Sequence, residues 1–294
     1  MPWEALLSWY KEAVRLELQP EAREQPTIRP TQVIFHSIVA PWDEHRLYAY
    51  WKNSTSLESH FGVDFDGSLG QYLSTTTRAD ANYKANLRPN GTGAISVETA
   101  SNTKASDPWT DDQLDALADL GVWAHRTHSI ALRACRSGSD GGFGIHRMYR
   151  EWSPSGTECP GDKRAQQFHA ELLPAIIARA KKPAAPAAPS TPSMPPVVSL
   201  AHIQAAQRRD PGLPQGGTTY RAEGLVVETA LYREGLLAKR WVDGSLGSRT
   251  RPAISEWQER CGYRGRRPGE PADGLFGRDS LTRLGQKHGF RVTA

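Results

Sequence analysis

The sequence predicts a mixed α/β domain followed by a small helical domain. Short β-branched and aromatic runs alternate with helical patterns in the first part of the chain, and helical patterns with an internal repeat fill the last part. Between them, prolines and alanines dominate residues 181–198, which favours a semi-extended spacer. A chain of 294 residues is long enough for two cores. We therefore predict domains at residues 1–180 and 199–294, joined by a linker at 181–198.

The first domain opens with apolar residues at helical spacing, which predict a short amphipathic helix before residue 18: Leu6, Leu7, Tyr10 and Val14. Residues 33–35 form an apolar run that predicts a strand leading into His36. Alternating apolar residues at 61, 63 and 65, followed by Asp66-Gly67, predict a hairpin. Residues 94–97 predict a further strand, and Thr110 with Gln113 predicts a capping box that opens a helix through residue 122.

The second domain carries the pattern D-G-x-Φ-G-x-x-[ST] twice. The copies begin at Asp243 and Asp273, 30 residues apart. The glycines suit tight turns, and we expect the final residues, Thr250 and Ser280, to cap helices over 251–260 and 281–287. The pattern predicts a compact module of duplicated loop–helix units.

Charge is distributed unevenly along the chain. Residues 1–180 hold 18 Lys and Arg against 22 Asp and Glu, whereas residues 199–294 hold 16 against 10. A basic second domain should be attracted to a polyanion, either nucleic acid or an anionic cell wall. Nucleic acid is the weaker hypothesis, because the positive charges are not set on one helix with interleaved aromatics and zinc-finger spacing is absent from the sequence.

Composition also indicates the cellular compartment in which the chain is made. The sequence has no run of about 20 apolar residues, so we expect no membrane anchoring. The N-terminal residues lack the apolar core of a secretory signal. Three cysteines, at 135, 159 and 261, are too few and too scattered for a disulfide framework, which favours synthesis in a reducing compartment.

Three residues could form a metal site. His36 ends an apolar strand, His146 follows a glycine-rich turn, and Cys159 comes thirteen residues later. Two imidazoles and one thiolate would leave an open coordination position, as in catalytic zinc sites. The residues alone also allow a buried strand histidine, a loop histidine and a cysteine packed as a small hydrophobe.

From Thr31 to about Phe168 the chain resembles the type 2 zinc N-acetylmuramoyl-L-alanine amidases, relatives of the peptidoglycan recognition proteins and of phage amidases. Five ordered segments carry the resemblance: V-I-F-H-S (33–37), S-H-F-G-V-D-F-D-G-S-L-G-Q-Y (59–72), A-I-S-V-E-T (94–99), the helix after residue 110, and G-I-H-R…T-E-C-P-G (144–161). The resemblance implies a mixed central sheet flanked by helices, and Zn²⁺ bound by His36, His146 and Cys159.

The resemblance also implies two catalytic residues. Thr157 matches the position of an oxyanion donor, and Glu98 matches the acidic residue that serves as general base for the attacking water and proton donor to the leaving amine. Glu98 could instead be a structural carboxylate that caps Thr99 or pairs with a lysine. Many members have a Tyr where this chain has Ser59, so either Glu98 carries the acid/base work or activity is reduced. His60 could support the site or be a satisfied strand histidine.

The second domain resembles peptidoglycan-binding type 1 domains, on the strength of the repeated motif. Trp241 and Tyr263 are candidates for stacking on sugars, whereas Trp257 has the helical spacing of a core residue. Together the two resemblances imply an amidase that cuts between N-acetylmuramic acid and L-alanine of peptidoglycan. We expect a monomeric phage endolysin, made in the host cytoplasm and released through holin-type pores.

Three alternatives stay open at this point. A bacterial autolysin would have the same architecture. A non-catalytic peptidoglycan-recognition protein would have the same fold, although retention of Cys159 favours catalysis. A zinc peptidase cutting within the stem peptide is disfavoured, because that class usually shows a His and an Asp at short spacing.

Overall fold

The computed structural model describes residues 8–52, 57–182, 195–214 and 217–294. It contains two compact units, Met1–Pro186 and Ala187–Ala294, here called the N-terminal and C-terminal units. Within the described ranges, no helix combines the length and the apolar character needed to cross a bilayer.

A six-stranded mixed sheet forms the centre of the N-terminal unit. Its strands are β1 (Val14–Arg15), β2 (Arg29–Phe35), β3 (Phe61–Val63), β4 (Leu69–Gln71), β5 (Thr92–Thr99) and β6 (Gly142–Ile145). Their spatial order is β1-β4-β3-β5-β2-β6, and only the β3–β4 pair is antiparallel among these strands. Because β2 and β5 are central and covered on both faces, their apolar residues are buried.

In the described part of this unit, five helices accompany the sheet: α1 (Glu21–Glu24), α2 (Glu44–Trp51), α3 (Asp111–His128), α4 (Asp162–Gln167) and α5 (Leu173–Lys181). A π-helical turn, Phe168–Leu172, joins the last two. Helix α3 begins with the predicted capping box, in which the Thr110 hydroxyl accepts from the Gln113 N–H and the Gln113 side chain bonds the Thr110 N–H. Such a cap stabilises a helix by about 1 kcal/mol. The apolar face of α3 packs on the sheet.

Most predicted elements of this unit are confirmed: the strand before His36, the hairpin, the strand through residues 94–97 and the capped helix. The amphipathic helix before residue 18 is wrong for the part that is described, and residues 1–7 lie outside the described ranges. Val14 instead lies in β1, where it pairs with Gly70 at the sheet edge. Tyr10 packs on Trp123 with ring centroids 5.1 Å apart. The apolar residues at helical spacing are thus used otherwise: Val14 pairs within the sheet, and Tyr10 packs on an aromatic ring.

Over residues 195–214 and 217–294, the C-terminal unit contains four helices, α6 (Leu200–Arg209), α7 (Arg221–Arg233), α8 (Thr250–Arg260) and α9 (Arg278–His288). Two short parallel strands, β7 (Val197–Ser199) and β8 (Arg291–Thr293), were not predicted. The predicted linker at 181–198 falls mainly on residues 183–194, outside the described residues. At its ends, Lys181 still belongs to α5 and Val197 already begins β7.

The sequence repeat is also a structural repeat. Gly244 and Gly274 have φ angles of 86° and 83°, and each N–H donates to a side chain sixteen residues earlier, Glu228 in the first copy and Gln258 in the second. Asp243 and Asp273 each accept a hydrogen bond from the N–H two residues on. The motif therefore shapes two equivalent loops, each held to the preceding helix.

The predicted capping roles in this repeat are wrong. Thr250 and Ser280 lie inside the first turns of α8 and α9, and the residues before these helices are Arg249 and Gly277. The Thr250 hydroxyl donates to Glu228, and the Ser280 hydroxyl donates to the Gly277 carbonyl. The hydroxyls thus hold the loops and not the helix N–H groups. Trp257 is buried in the core, as its helical spacing predicts.

Candidate metal and catalytic site

Three side chains predicted as metal ligands lie together in the N-terminal unit. One ligand atom from each of His36, His146 and Cys159 lies within 4.8 Å of the others. The two imidazole centroids are 4.3 Å apart, and the Cys159 Sγ lies 3.9 Å from His36 Nδ1. No other described group of three or more His, Cys, Asp or Glu residues has this proximity.

The sheet brings these residues together. Strands β2 and β6 are parallel neighbours with Phe35 paired to Ile145, so His36 and His146, the next residue of each strand, emerge at the same edge. The Arg147 N–H donates to the Cys159 carbonyl at 3.0 Å, which fixes the cysteine loop to the end of β6. The Ser37 N–H points at the Cys159 Sγ, 3.2 Å away. Backbone geometry alone therefore assembles the cluster.

Each imidazole has a partner on the side away from the cluster. His36 Nε2 lies 2.7 Å from Asn82 Oδ1, and His146 Nε2 lies 2.8 Å from the Trp152 carbonyl oxygen. Because both partners can only accept, each Nε2 carries the hydrogen and each Nδ1 keeps its lone pair. Outer hydrogen bonds of this kind fix the tautomer and orientation of metal-binding histidines.

The electrostatics of the cluster suit a divalent cation. Burial, followed by the nearby His146, holds the pKa of His36 well below its usual range, and burial also lowers the pKa of His146. Both rings are therefore neutral at neutral pH. Burial and the nearby Glu98 raise the pKa of the Cys159 thiol, so a positive charge is needed to stabilise its thiolate. A Zn²⁺ ion would provide that charge, and the donor set of two imidazoles and one thiolate matches its preference.

Glu98 reaches the same place from β5. Its Oε1 lies 3.8 Å from His36 Nδ1, and its Oε2 has no hydrogen-bond partner within the described ranges. Burial raises the pKa of this carboxyl to about 8, opposed by the charge of Arg164. Among the described residues it neither caps Thr99 nor pairs with a lysine, so the structural alternative lacks the contacts it would need.

Thr157 lies partly buried in the loop that carries Cys159. Its hydroxyl oxygen accepts from the Cys159 N–H at 3.1 Å, which positions the side chain against the cysteine. An accepting hydroxyl still has its own hydrogen to donate. Thr157 is therefore suited to act as a hydrogen-bond donor beside the cluster.

His60 is not part of the cluster, and its contacts and those of its neighbour Ser59 differ from the expectation of a supporting role. His60 is fully buried, with Nε2 on the Thr77 carbonyl at 2.8 Å and Nδ1 accepting from the Ser96 N–H at 3.1 Å. Burial lowers its pKa to about 4. Both ring nitrogens are satisfied, so His60 fits the strand-histidine alternative. The buried Ser59 hydroxyl has no partner in the described part of the chain.

Two residues of the site were missed by the sequence reasoning. Asn82 precedes a short 3₁₀ turn, Tyr83–Ala85, and touches His36 from 46 residues away. Arg164 is fully buried and donates to the Thr99 hydroxyl, the Ala100 carbonyl and Asp107. The Thr99 hydroxyl in turn donates to the His36 carbonyl. Spacing along the chain carries no signal for such contacts.

Comparison with known proteins adds a family match. The family model described as N-acetylmuramoyl-L-alanine amidase (Amidase_2) matches residues 26–162. This range contains all five predicted site residues: His36, Glu98, His146, Thr157 and Cys159. A search of the curated proteins found no match.

Among solved structures, the chain is similar to one described as the structure of PlyL, with 18% identity and a TM-score of 0.43, covering 58% of this chain and 97% of that chain. It is also similar to the catalytic domain of XlyA, with 20% identity and a TM-score of 0.39, covering 56% and 98%. The N-acetylmuramoyl-L-alanine amidase LysC from Clostridium intestinale URNW is 15% identical with a TM-score of 0.38, covering 54% and 96%.

Proposed function

We propose that this protein is a zinc-dependent N-acetylmuramoyl-L-alanine amidase that cleaves bacterial peptidoglycan. The observation that carries the proposal is the cluster of His36, His146 and Cys159, whose ligand atoms lie within 4.8 Å of one another. The cluster falls inside the segment that matches the amidase family model. The substrate bond would be the amide between N-acetylmuramic acid and the first L-alanine.

In this proposal His36, His146 and Cys159 hold Zn²⁺. When bound, the metal would polarise the amide carbonyl and acidify a water molecule. Asn82 and the Trp152 carbonyl keep both imidazoles in the metal-binding tautomer. The charge of a bound cation would lower the raised pKa of Glu98. Its carboxylate, with Oε1 on the cluster side of His36, would then accept the proton of the attacking water and return it to the leaving amine. The Thr157 hydroxyl donates to the oxygen that becomes negative as the carbonyl turns tetrahedral.

We also propose that the C-terminal unit binds the cell wall. Its basic balance, 16 Lys and Arg against 10 Asp and Glu over residues 199–294, favours an anionic polymer. The duplicated loop–helix structure supports its resemblance to peptidoglycan-binding domains. The site of action would be the bacterial wall. A phage origin, holin-type release and a monomeric state stay predictions from the sequence.

The test is the end group that appears when the purified chain digests isolated cell walls, with and without a chelator. Chelator-sensitive release of N-terminal L-alanine, without new reducing sugar ends, is the expected result. Other new amino termini would indicate an endopeptidase, and tight binding without new ends would indicate a recognition protein.

Two cysteine variants give a matched pair for this assay. Cys159→Ala should abolish cleavage and metal binding while leaving sedimentation with walls intact. Cys135→Ala removes a buried thiol that lies outside the cluster and should keep both activities. Equal cleavage by the two variants would remove the zinc assignment.

A further inference from the structure

A groove runs along the first turn of α8 in the C-terminal unit. One cavity of 320 Å³ is lined by residues that include Trp241, Asp243 and Arg249. A second cavity of 420 Å³ is lined by residues that include Arg251, Ser255 and Arg266. Pro211 and Ser248 line both cavities. The two hollows are therefore neighbours, and together they suit an elongated ligand.

The cationic side chains of this groove are only partly engaged. Arg249 is exposed, and no carboxylate of the described residues forms a salt bridge with it. Its guanidinium carbon lies 5.2 Å from the centroid of the Trp241 ring. Among the described residues, Arg251 donates from Nε alone, to the Asp273 carbonyl, whereas Arg266 is paired with Glu259. As far as the described residues extend, Arg249 and the outer nitrogens of Arg251 are thus available to bind an anion.

Three acidic residues also line the groove, and their carboxylates bond to the loops around it. Asp210 is buried and accepts from the Thr219 hydroxyl and the Leu246 N–H. Asp243 and Asp273 accept backbone N–H groups of their own loops. These carboxylates are committed to holding the loops in shape.

The repeat shows which groove residues differ between the two copies. Thirty residues on, the positions of Trp241, Ser248 and Arg249 are occupied by Pro271, Arg278 and Asp279. The loops of both copies nevertheless have the same turn geometry, with glycine φ angles of 86° and 83°. Among the described residues, an aromatic ring beside an arginine that forms no salt bridge is therefore particular to the first copy, and the same ring packs against the core of the unit.

We propose that this groove is the wall-binding site of the C-terminal unit, with Trp241 contacting a sugar ring of the glycan and Arg249 binding a stem-peptide carboxylate. The assignment rests on the proposed function of this unit. An indole offers a flat apolar surface with a polar edge, and arginine pairs with carboxylates through two parallel hydrogen bonds. The groove assigns Trp241, and not Tyr263, as the aromatic contact, because Tyr263 lines neither of the two cavities.

The test is pelleting of the full chain with peptidoglycan sacculi stripped of protein and teichoic acid, in a Cys159→Ala background that prevents digestion. Trp241→Ala and Arg249→Glu should each weaken binding about tenfold or more, as for central aromatic and arginine contacts. Tyr263→Ala and the exposed Arg208→Glu are matched controls and should bind like the parent. Arg249 is exposed, so its substitution tests the groove without disturbing the core.

Chemical amidation of the sacculi gives a second test, which asks whether Arg249 binds a carboxylate. On sacculi whose carboxylates have been amidated, the parent and Arg249→Glu should bind with similar affinity. Parent-like binding of both groove variants to untreated sacculi would overturn the groove while leaving wall binding in place. Failure of the parent itself to pellet would overturn the wall-binding function together with the groove. If the two groove variants lost binding to duplex DNA but kept binding to sacculi, the groove would be assigned to nucleic acid and the proposal would be overturned.

Discussion

Replacing Asn82 by leucine should weaken metal binding without unfolding the protein. The side chains have similar size, but leucine cannot accept the hydrogen on His36 Nε2, now 2.7 Å from Asn82 Oδ1. Both groups are buried. A buried donor left without a partner costs about 1–3 kcal/mol, and each 1.4 kcal/mol is about tenfold in affinity. We therefore expect metal affinity to fall by roughly 10- to 100-fold, the range typical for loss of such an outer partner.

The assay is competition for Zn²⁺ between the full chain and a chromophoric chelator, which reports affinity independently of catalysis. Asn82→Asp should retain binding, because the Asn82 Nδ2 that it replaces makes no hydrogen bond within the described ranges and a carboxylate oxygen still accepts. Asn90→Leu, in an exposed turn of the same region, is the control. Wild-type affinity in a folded Asn82→Leu variant would refute the argument that Asn82 sets the His36 tautomer.

Three further predictions concern stability. Burial raises the pKa of Glu228 to about 7, so its stabilising contribution is complete below about pH 4.5 and is lost as the pH rises through 7. Protection of α7 in hydrogen exchange, corrected for intrinsic rates, should fall between pH 5 and 8, and Glu228→Gln should remove that trend, as Gln258 fills the equivalent position. Gly274→Ala should destabilise the C-terminal unit by about 1–3 kcal/mol, because its φ is 83° and a Cβ would lie 2.6 Å from the Arg251 carbonyl oxygen, whereas Gly277→Ala meets open space and should be neutral in thermal unfolding. Arg164→Met should cost the N-terminal unit about 3 kcal/mol in denaturant unfolding, against little for its exposed neighbour Lys163→Met; equal effects would contradict a structural role for the buried guanidinium.

Local patterns predicted the parts of the fold that local chemistry controls. The strand before His36, the hairpin and the capped helix α3 depend on residues close in sequence, and all three are present. The prediction of a helix before residue 18 was wrong for the described residues because Val14 lies in an edge strand, where it pairs with Gly70. Thr250 failed as a cap because the buried Glu228 carboxylate, 22 residues away, accepts its hydrogen.

The candidate site likewise combines residues that local sequence motifs identify with contacts that only the tertiary structure creates. His36, His146 and Cys159 stand in short motifs, so the sequence could single them out, and the sheet then brings them together. The contacts that orient them come from Asn82 and the Trp152 carbonyl. A main-chain carbonyl has no sequence signature, and an asparagine before a turn is common. These partners become visible only once β2, β6 and the intervening loops are placed in space.

Because the side chains of β5 alternate between the two faces of the sheet, catalytic activity depends on the correct alignment of β5 with β2. Glu98 faces the metal cluster, while the next residue, Thr99, bonds Trp109 and Arg164. Successive side chains of a strand point to opposite faces, so a slip of one residue against β2 would exchange the two. A misaligned molecule would present a hydroxyl in place of the carboxylate and could not perform the proton transfer proposed for Glu98. Specific activity after refolding should therefore count natively aligned molecules, even among species with equal secondary structure content.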